Sequence, residues 1–221
     1  MSTAGVLLSV LAAAAIGAEP SPPTTEQVSN WAAFSKPIHL RAEKEAAETV
    51  ASCYQAVPIW AYNYTARQET LTSFRIGIFK AGTLFGKERD RKERLCTDPR
   101  QEIKKMIEEI PEAKRQKIKE LLNMTPGTNE IPIGDSMFKD WSRFESRPDG
   151  RKVYFTIRGF GPGGTSSMIF TTMGKYDLLL EQTVLTQDGG PKEKQLLNPA
   201  TATKELSEIF KKLEQHIAAG K

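Results

Sequence analysis

Residues 152–185, KVYFTIRGFGPGGTSSMIFTTMGKYDLLLEQTVL, carry the pattern that decides the fold. Val153, Phe155 and Ile157 alternate with Tyr154, Thr156 and Arg158. A period of two sends successive side chains to opposite faces of a strand. Residues 159–164 (GFGPGG) interrupt the run and residues 166–172 resume it. Met173-Gly174-Lys175 then gives a tight reversal into YDLLLEQTVL at 176–185. Reversals this short require antiparallel neighbours, so the stretch reads as a β-meander.

Working outward, Gln187-Asp188-Gly189-Gly190-Pro191 ends the sheet, and Asn198-Pro199 opens a final helix. Its Leu206, Ile209, Phe210, Leu213 and Ile217 form one apolar stripe, which needs a sheet to cover. Upstream, Arg147-Pro148-Asp149-Gly150 is a turn sequence after a strand expected around residues 137–145. Two more strands are expected in PIWAYNYT (58–65) and SFRIGIFKAG (73–82), with residues 66–70 between them. Thr24 is placed to cap a short helix whose apolar face is Val28, Trp31 and Ala32. A second helix is expected over residues 40–56, with Arg41 and Glu45 paired one turn apart. Asp98-Pro99 predicts a helix carrying Ile103, Met106, Ile107 and Ile110, and Pro111 a shorter one with Ile118, Leu121 and Leu122 inward. Residues 87–94, KERDRKER, are all charged and are expected as a solvated loop or exposed helix extension. The predicted fold is α+β, an antiparallel β-meander of about four to six strands with N-terminal and C-terminal amphipathic helices on one face.

Apolar residues are 39% and charged residues 26% of the 221-residue chain, enough for a packed core. The net charge of +4 is too mild to define a nucleic-acid protein. Residues 1–18 hold no Asp, Glu, Lys or Arg, and VLLSVLAAAAI (6–16) is followed by small residues and Glu19-Pro20-Ser21-Pro22-Pro23. That layout predicts a signal peptide over 1–18, although the segment lacks a basic n-region side chain. A Pro-rich joint at 19–23 and a single α+β domain over 24–221 follow. The expected location is therefore exported, periplasmic or secreted, with no transmembrane span after signal removal. Cys53 and Cys96 are the only cysteines, a candidate disulfide in an oxidising compartment. Asn63-Tyr64-Thr65 and Asn123-Met124-Thr125 are glycosylation sequons, meaningful in a eukaryotic secretory pathway.

Ile131-Pro132-Ile133-Gly134-Asp135-Ser136-Met137 resembles the Gly-Asp-Ser nucleophile block of the SGNH hydrolases. The resemblance implies Ser136 as nucleophile and also demands a late Asp-x-x-His. Here Leu213 stands three residues before His216, and the chain after Ser136 is too short for that family's α/β layers. Gly-Asp-Ser is equally a turn sequence. His39 and His216 are the only histidines, which with two distant cysteines makes no zinc constellation. The GFGPGG run leads into a strand, whereas a phosphate loop leads into a helix.

No catalytic set or cofactor motif emerges. The expected function is that of an exported non-enzymatic binding or accessory protein engaging an envelope or extracellular macromolecule. Its partner-contact loop would be Phe160, Gly161, Pro162 and Gly163. The alternative is a carrier of a small apolar ligand between sheet and helices, lined by Trp60, Tyr62, Tyr64 and Phe155, whose rings are apolar with polar handles. A serine hydrolase using Ser136 is the remote alternative.

Overall fold

In the computed structural model the described residues are 19–32, 39–66, 70–97, 108, 111–113, 141–159, 164–186 and 199–220. They form a seven-stranded antiparallel sheet with four helices. In chain order the elements are α1 (Thr25–Ala32), β1 (Arg41–Lys44), α2 (Ala47–Tyr54), β2 (Pro58–Ala66), β3 (Thr70–Lys80) and α3 (Arg89–Thr97). They continue with β4 (Trp141–Ser146), β5 (Lys152–Gly159), β6 (Gly164–Met173), β7 (Tyr176–Thr186) and α4 (Pro199–Ala219). The strand order is β1-β2-β3-β7-β6-β5-β4. Two meanders therefore meet where β3 pairs with β7.

The α+β antiparallel architecture is as the sequence implies, and the strand count is higher. The extra strand is β1, in a stretch whose period reads as the start of a helix. Arg41, Ala42, Glu43 and Lys44 instead pair with Thr65, Tyr64, Asn63 and Tyr62. An edge partner for β2 supplies hydrogen bonds that override the helical pattern, and the helix begins only at Ala47. Arg41 consequently pairs with Glu43, and Glu45 is released for another role. The helices expected over 98–110 and 112–122 lie outside the described residues apart from isolated positions, as do residues 1–18 and Asn123.

Both faces of the sheet are covered, α1 and α4 on one and α2 and α3 on the other. On the first face, α1 and α4 pack over Trp60, Tyr64, Phe74, Ile76, Phe155 and Leu180, with Phe210 and Leu213 of α4 fully buried among them. Each such side chain contributes about 1.5–3 kcal/mol by leaving water. Thr24 and Gln27 cap α1 reciprocally, the Gln27 amide donating to Thr24 Oγ1 and the Thr24 amide to Gln27 Oε1. The Pro-rich residues before α1 are fastened to the same face. Trp60 Nε1 donates to the Pro20 carbonyl at 2.7 Å and the Tyr64 hydroxyl to the Pro23 carbonyl at 2.6 Å.

On the second face, α2, α3 and the loop between β3 and α3 cover Ala61, Phe79, Tyr154, Phe170 and Leu179. That loop is tied to α2 by the Phe85 amide, which donates to the Tyr54 carbonyl at 2.7 Å. The charged run at 87–94 is not wholly solvated. Arg89 reaches down to Asp177, which is fully buried, at 2.8 Å, and also donates to Thr172 Oγ1. The Leu84 amide and the Thr172 hydroxyl donate to the same carboxylate. A core can accept a charge that is paired and fully hydrogen-bonded. No helix among the described residues is long and apolar enough to cross a membrane.

Replacing Asp177 by Ala leaves the Leu84 amide without its acceptor and takes from Arg89 its buried carboxylate, leaving it Glu93 and Thr172. Urea unfolding is expected to show a loss of about 3 kcal/mol or more, against about 1 kcal/mol or less for removing the exposed Arg41–Glu43 pair.

Candidate functional site

One row of side chains crosses the sheet from β1 to β5 on the second face. Register places Glu43, Asn63, Arg75, Glu181, Met168 and Thr156 side by side on β1, β2, β3, β7, β6 and β5. Helix α2 covers the β2 and β3 side of this face, and α3 lies toward β4 and β5. The gap between them, above β7 and β6, is a half-open cleft of about 200 Å³.

The floor of the cleft is a closed charge network. Arg75 donates through Nε and Nη2 to both oxygens of Glu45, at 2.7 and 2.9 Å. Its Nη1 donates to Glu181 Oε2 at 2.8 Å and to the Tyr54 hydroxyl at 2.7 Å. The Tyr54 hydroxyl donates to Glu181 Oε2, and Ser166 Oγ donates to Glu181 Oε1 at 2.8 Å. Each member comes from a different place in the fold: Glu45 from the residue after β1, Tyr54 from α2, Arg75 from β3, Ser166 from β6 and Glu181 from β7. Met168 and Phe85 supply the apolar walls, Thr156 closes the β5 side, and Cys53 and Lys92 stand on the two helices above. Lys92 Nζ lies 5.5 Å from the centre of the Phe85 ring.

Electrostatics follow from this packing. Burial disfavours the charge on Arg75, but the contacts with Glu45 and Tyr54 outweigh it and raise its pKa above the ordinary value. Burial and then the Glu181 carboxylate push the Tyr54 pKa well up, so its hydroxyl stays protonated. Cys96 lies under the same wall, its Sγ 3.6 Å from both the Phe155 carbonyl and Thr156 Oγ1, and burial pushes its thiol pKa up.

The residues singled out by sequence fall elsewhere. Trp60, Tyr62, Tyr64 and Phe155 lie on the opposite face, where Trp60, Tyr64 and Phe155 are buried and Tyr62 is packed against them. Phe160, Gly161, Pro162, Gly163 and Ser136 lie outside the described residues. Cys53 and Cys96 are both free, which corrects the disulfide expectation; Cys53 is exposed on α2, whereas Cys96 is buried in α3 against β5. His216 contacts the Ser21 carbonyl through Nε2 at 2.9 Å and meets the edge of Trp31, away from the cleft. Among the described residues no group of three or more His, Cys, Asp or Glu could hold a metal ion.

Arg75 and Glu181 are the residues the pattern passed over. Arg75 lies between Phe74 and Ile76 on β3, Glu181 follows Leu178-Leu179-Leu180 on β7, and the two carry opposite charges. Opposite charges in two candidate strands are a pairing signal, but only the register sets them face to face. Protein-family models, curated proteins and solved structures all yield no match to the chain.

Three of the buried tyrosines, Tyr54, Tyr64 and Tyr154, make the fold sensitive to alkali. Burial first, and then Glu93 beside it, pushes Tyr154 from 10.0 up to about 12. Burial likewise raises Tyr54 and Tyr64 above their ordinary value. Above pH 10.0 an unfolded tyrosine loses a proton that the folded one keeps, so stability present below that pH declines as pH rises toward 12. The urea midpoint is expected to fall steeply over that interval, and less steeply in Tyr54→Phe.

Proposed function

We propose that this chain is an exported, non-enzymatic binding protein that holds a small molecule in the cleft between α2 and α3. The observation that carries the reading is the cleft itself, in which polar groups from α2, α3, β3, β5, β6 and β7 converge beside apolar Met168 and Phe85. A concave site with few, fixed polar groups among apolar walls is what small-ligand recognition requires. At about 200 Å³ it suits a ligand smaller than a drug-sized molecule. The network is also rigid before any ligand arrives, since each polar group is held by another, and preorganisation lowers the cost of binding.

Two features favour a binder over a hydrolase at this cleft. The Ser166 hydroxyl donates to a carboxylate that already accepts from Arg75 and Tyr54. No histidine lines the cleft to relay a proton. Export is supported by the charge-free segment at 1–18 and by the place where anchoring begins. The Pro20 and Pro23 carbonyls are gripped by Trp60 and Tyr64 immediately after the proposed cleavage point, so removal of the leader would cost the fold none of these contacts.

The large apolar residues exposed among those described, Val57, Phe144 and Leu185, stand at three separate places. They form no shared patch of the kind that marks a macromolecular interface.

Native mass spectrometry of the protein recovered gently from its own host tests the reading. The expected chain lacks residues 1–17 or 1–18 and carries one small molecule that is lost in Glu181→Ala. A bare chain from several gentle preparations overturns the small-molecule reading, and an intact leader overturns export.

A further inference from the structure

The unused hydrogen-bonding positions of the cleft narrow the ligand class. This step rests on the binding reading above. A carboxylate offers about four acceptor positions, and Glu181 has filled three with Arg75, Tyr54 and Ser166. One position remains on Oε1. Ser166 uses its only hydrogen on Glu181, leaving both oxygen lone pairs as acceptors. The Tyr54 hydroxyl both accepts from Arg75 and donates to Glu181. At the floor, therefore, the adjacent groups Glu181 and Ser166 present acceptors, and they call for a ligand that donates.

Charge excludes two of the three donor-seeking possibilities. An anion would meet the Glu181 charge directly. It would also find Arg75 engaged by two carboxylates, with four of its N–H groups already spent. A cation would suit Glu181 but would share a space of about 200 Å³ with both Arg75 and Lys92. A neutral molecule bearing hydroxyl groups meets the floor without either conflict. Its C–H faces would rest on Met168, beside Phe85, and its oxygens can accept from Lys92.

We propose that the cleft binds a compact neutral polyol, of monosaccharide size, through hydroxyl groups donated to Glu181 and Ser166. Recognition then depends on hydrogen bonds, and ionic strength has little influence on it.

The test uses the full folded protein with D-glucose and myo-inositol as neutral probes, and inorganic phosphate and ethylammonium as charged ones. Binding is followed by NMR shifts of the Ser166 and Glu181 amides. A neutral probe is expected to move these signals with an affinity unchanged between low and high salt. Ser166→Ala should weaken it about tenfold, as expected for one hydrogen bond lost, with the circular dichroism spectrum unchanged. Ser166→Thr, which keeps the hydroxyl, should retain binding and guards against a folding defect in the alanine variant. If phosphate or ethylammonium moves the same signals in a salt-dependent way and neither polyol does, the polyol class is overturned while the binding reading stands. If a co-purified ligand is seen by mass spectrometry and none of the four probes shifts the cleft, the class is likewise overturned. Silence in both measurements removes the binding reading as well.

Discussion

Strands β3 and β7 are each eleven residues long and pair along their whole length. Neither meander survives alone as this structure has it, because the inner edge of each is capped by the other. Strands in the middle of a sheet covered on both faces must be apolar on both. Leu178, Leu179 and Leu180 meet that demand in consecutive positions, the first and third under α4 and the second under α2 and α3. Ile76, Gly77 and Ile78 do the same on β3, and Gly77 leaves room for the Phe79 ring, whose edge lies 3.1 Å from where a Cβ would stand. The three-layer arrangement is thus a consequence of the central pairing.

Within such strands a charged residue needs a partner, and the two charged sites on β7 are solved differently. Asp177 is fully buried and draws Arg89 down from a run of charges, which docks the start of α3 on the sheet. Glu181 sits opposite Arg75 and shares it with Glu45. A buried pair costs solvation on both sides and is held only when the remaining hydrogen-bonding capacity is met. Asp177 meets it with the Leu84 amide and Thr172, and its surroundings close completely. Glu181 also accepts three hydrogen bonds, but it lines the half-open cleft between α2 and α3. The candidate site is the place where the same structural solution stays open to solvent.

The capping box at Thr24 and Gln27, the PIWAYNYT and SFRIGIFK strands, the meander from 152 to 185 and the apolar stripe of α4 were legible because each rests on local periodicity or a local hydrogen bond. The edge strand β1 was not. Its four residues carry no alternation and are all exposed, so only the neighbouring β2 defines them. The aromatic row Trp60, Tyr62 and Tyr64 was correctly placed on one strand face, but whether that face holds a ligand or a helix is a question of what packs above it. Two of its rings are fastened to Pro20 and Pro23, some forty positions earlier in the chain.

The sequence by itself determined the antiparallel α+β class, the turn positions and the alternation that assigns each side chain to a face. Those features depend on residues within a few positions of one another. Tertiary structure alone decided which charges meet. Arg75 and Glu181 are separated by 106 positions, and Tyr54 and Glu181 by 127. Their contact requires the β3–β7 register and the lie of α2, and a slip of one residue would send Glu181 to the other face. A strand's own pattern fixes which residues share a face, but the identity of the neighbour across the hydrogen bonds comes from the way the whole sheet closes.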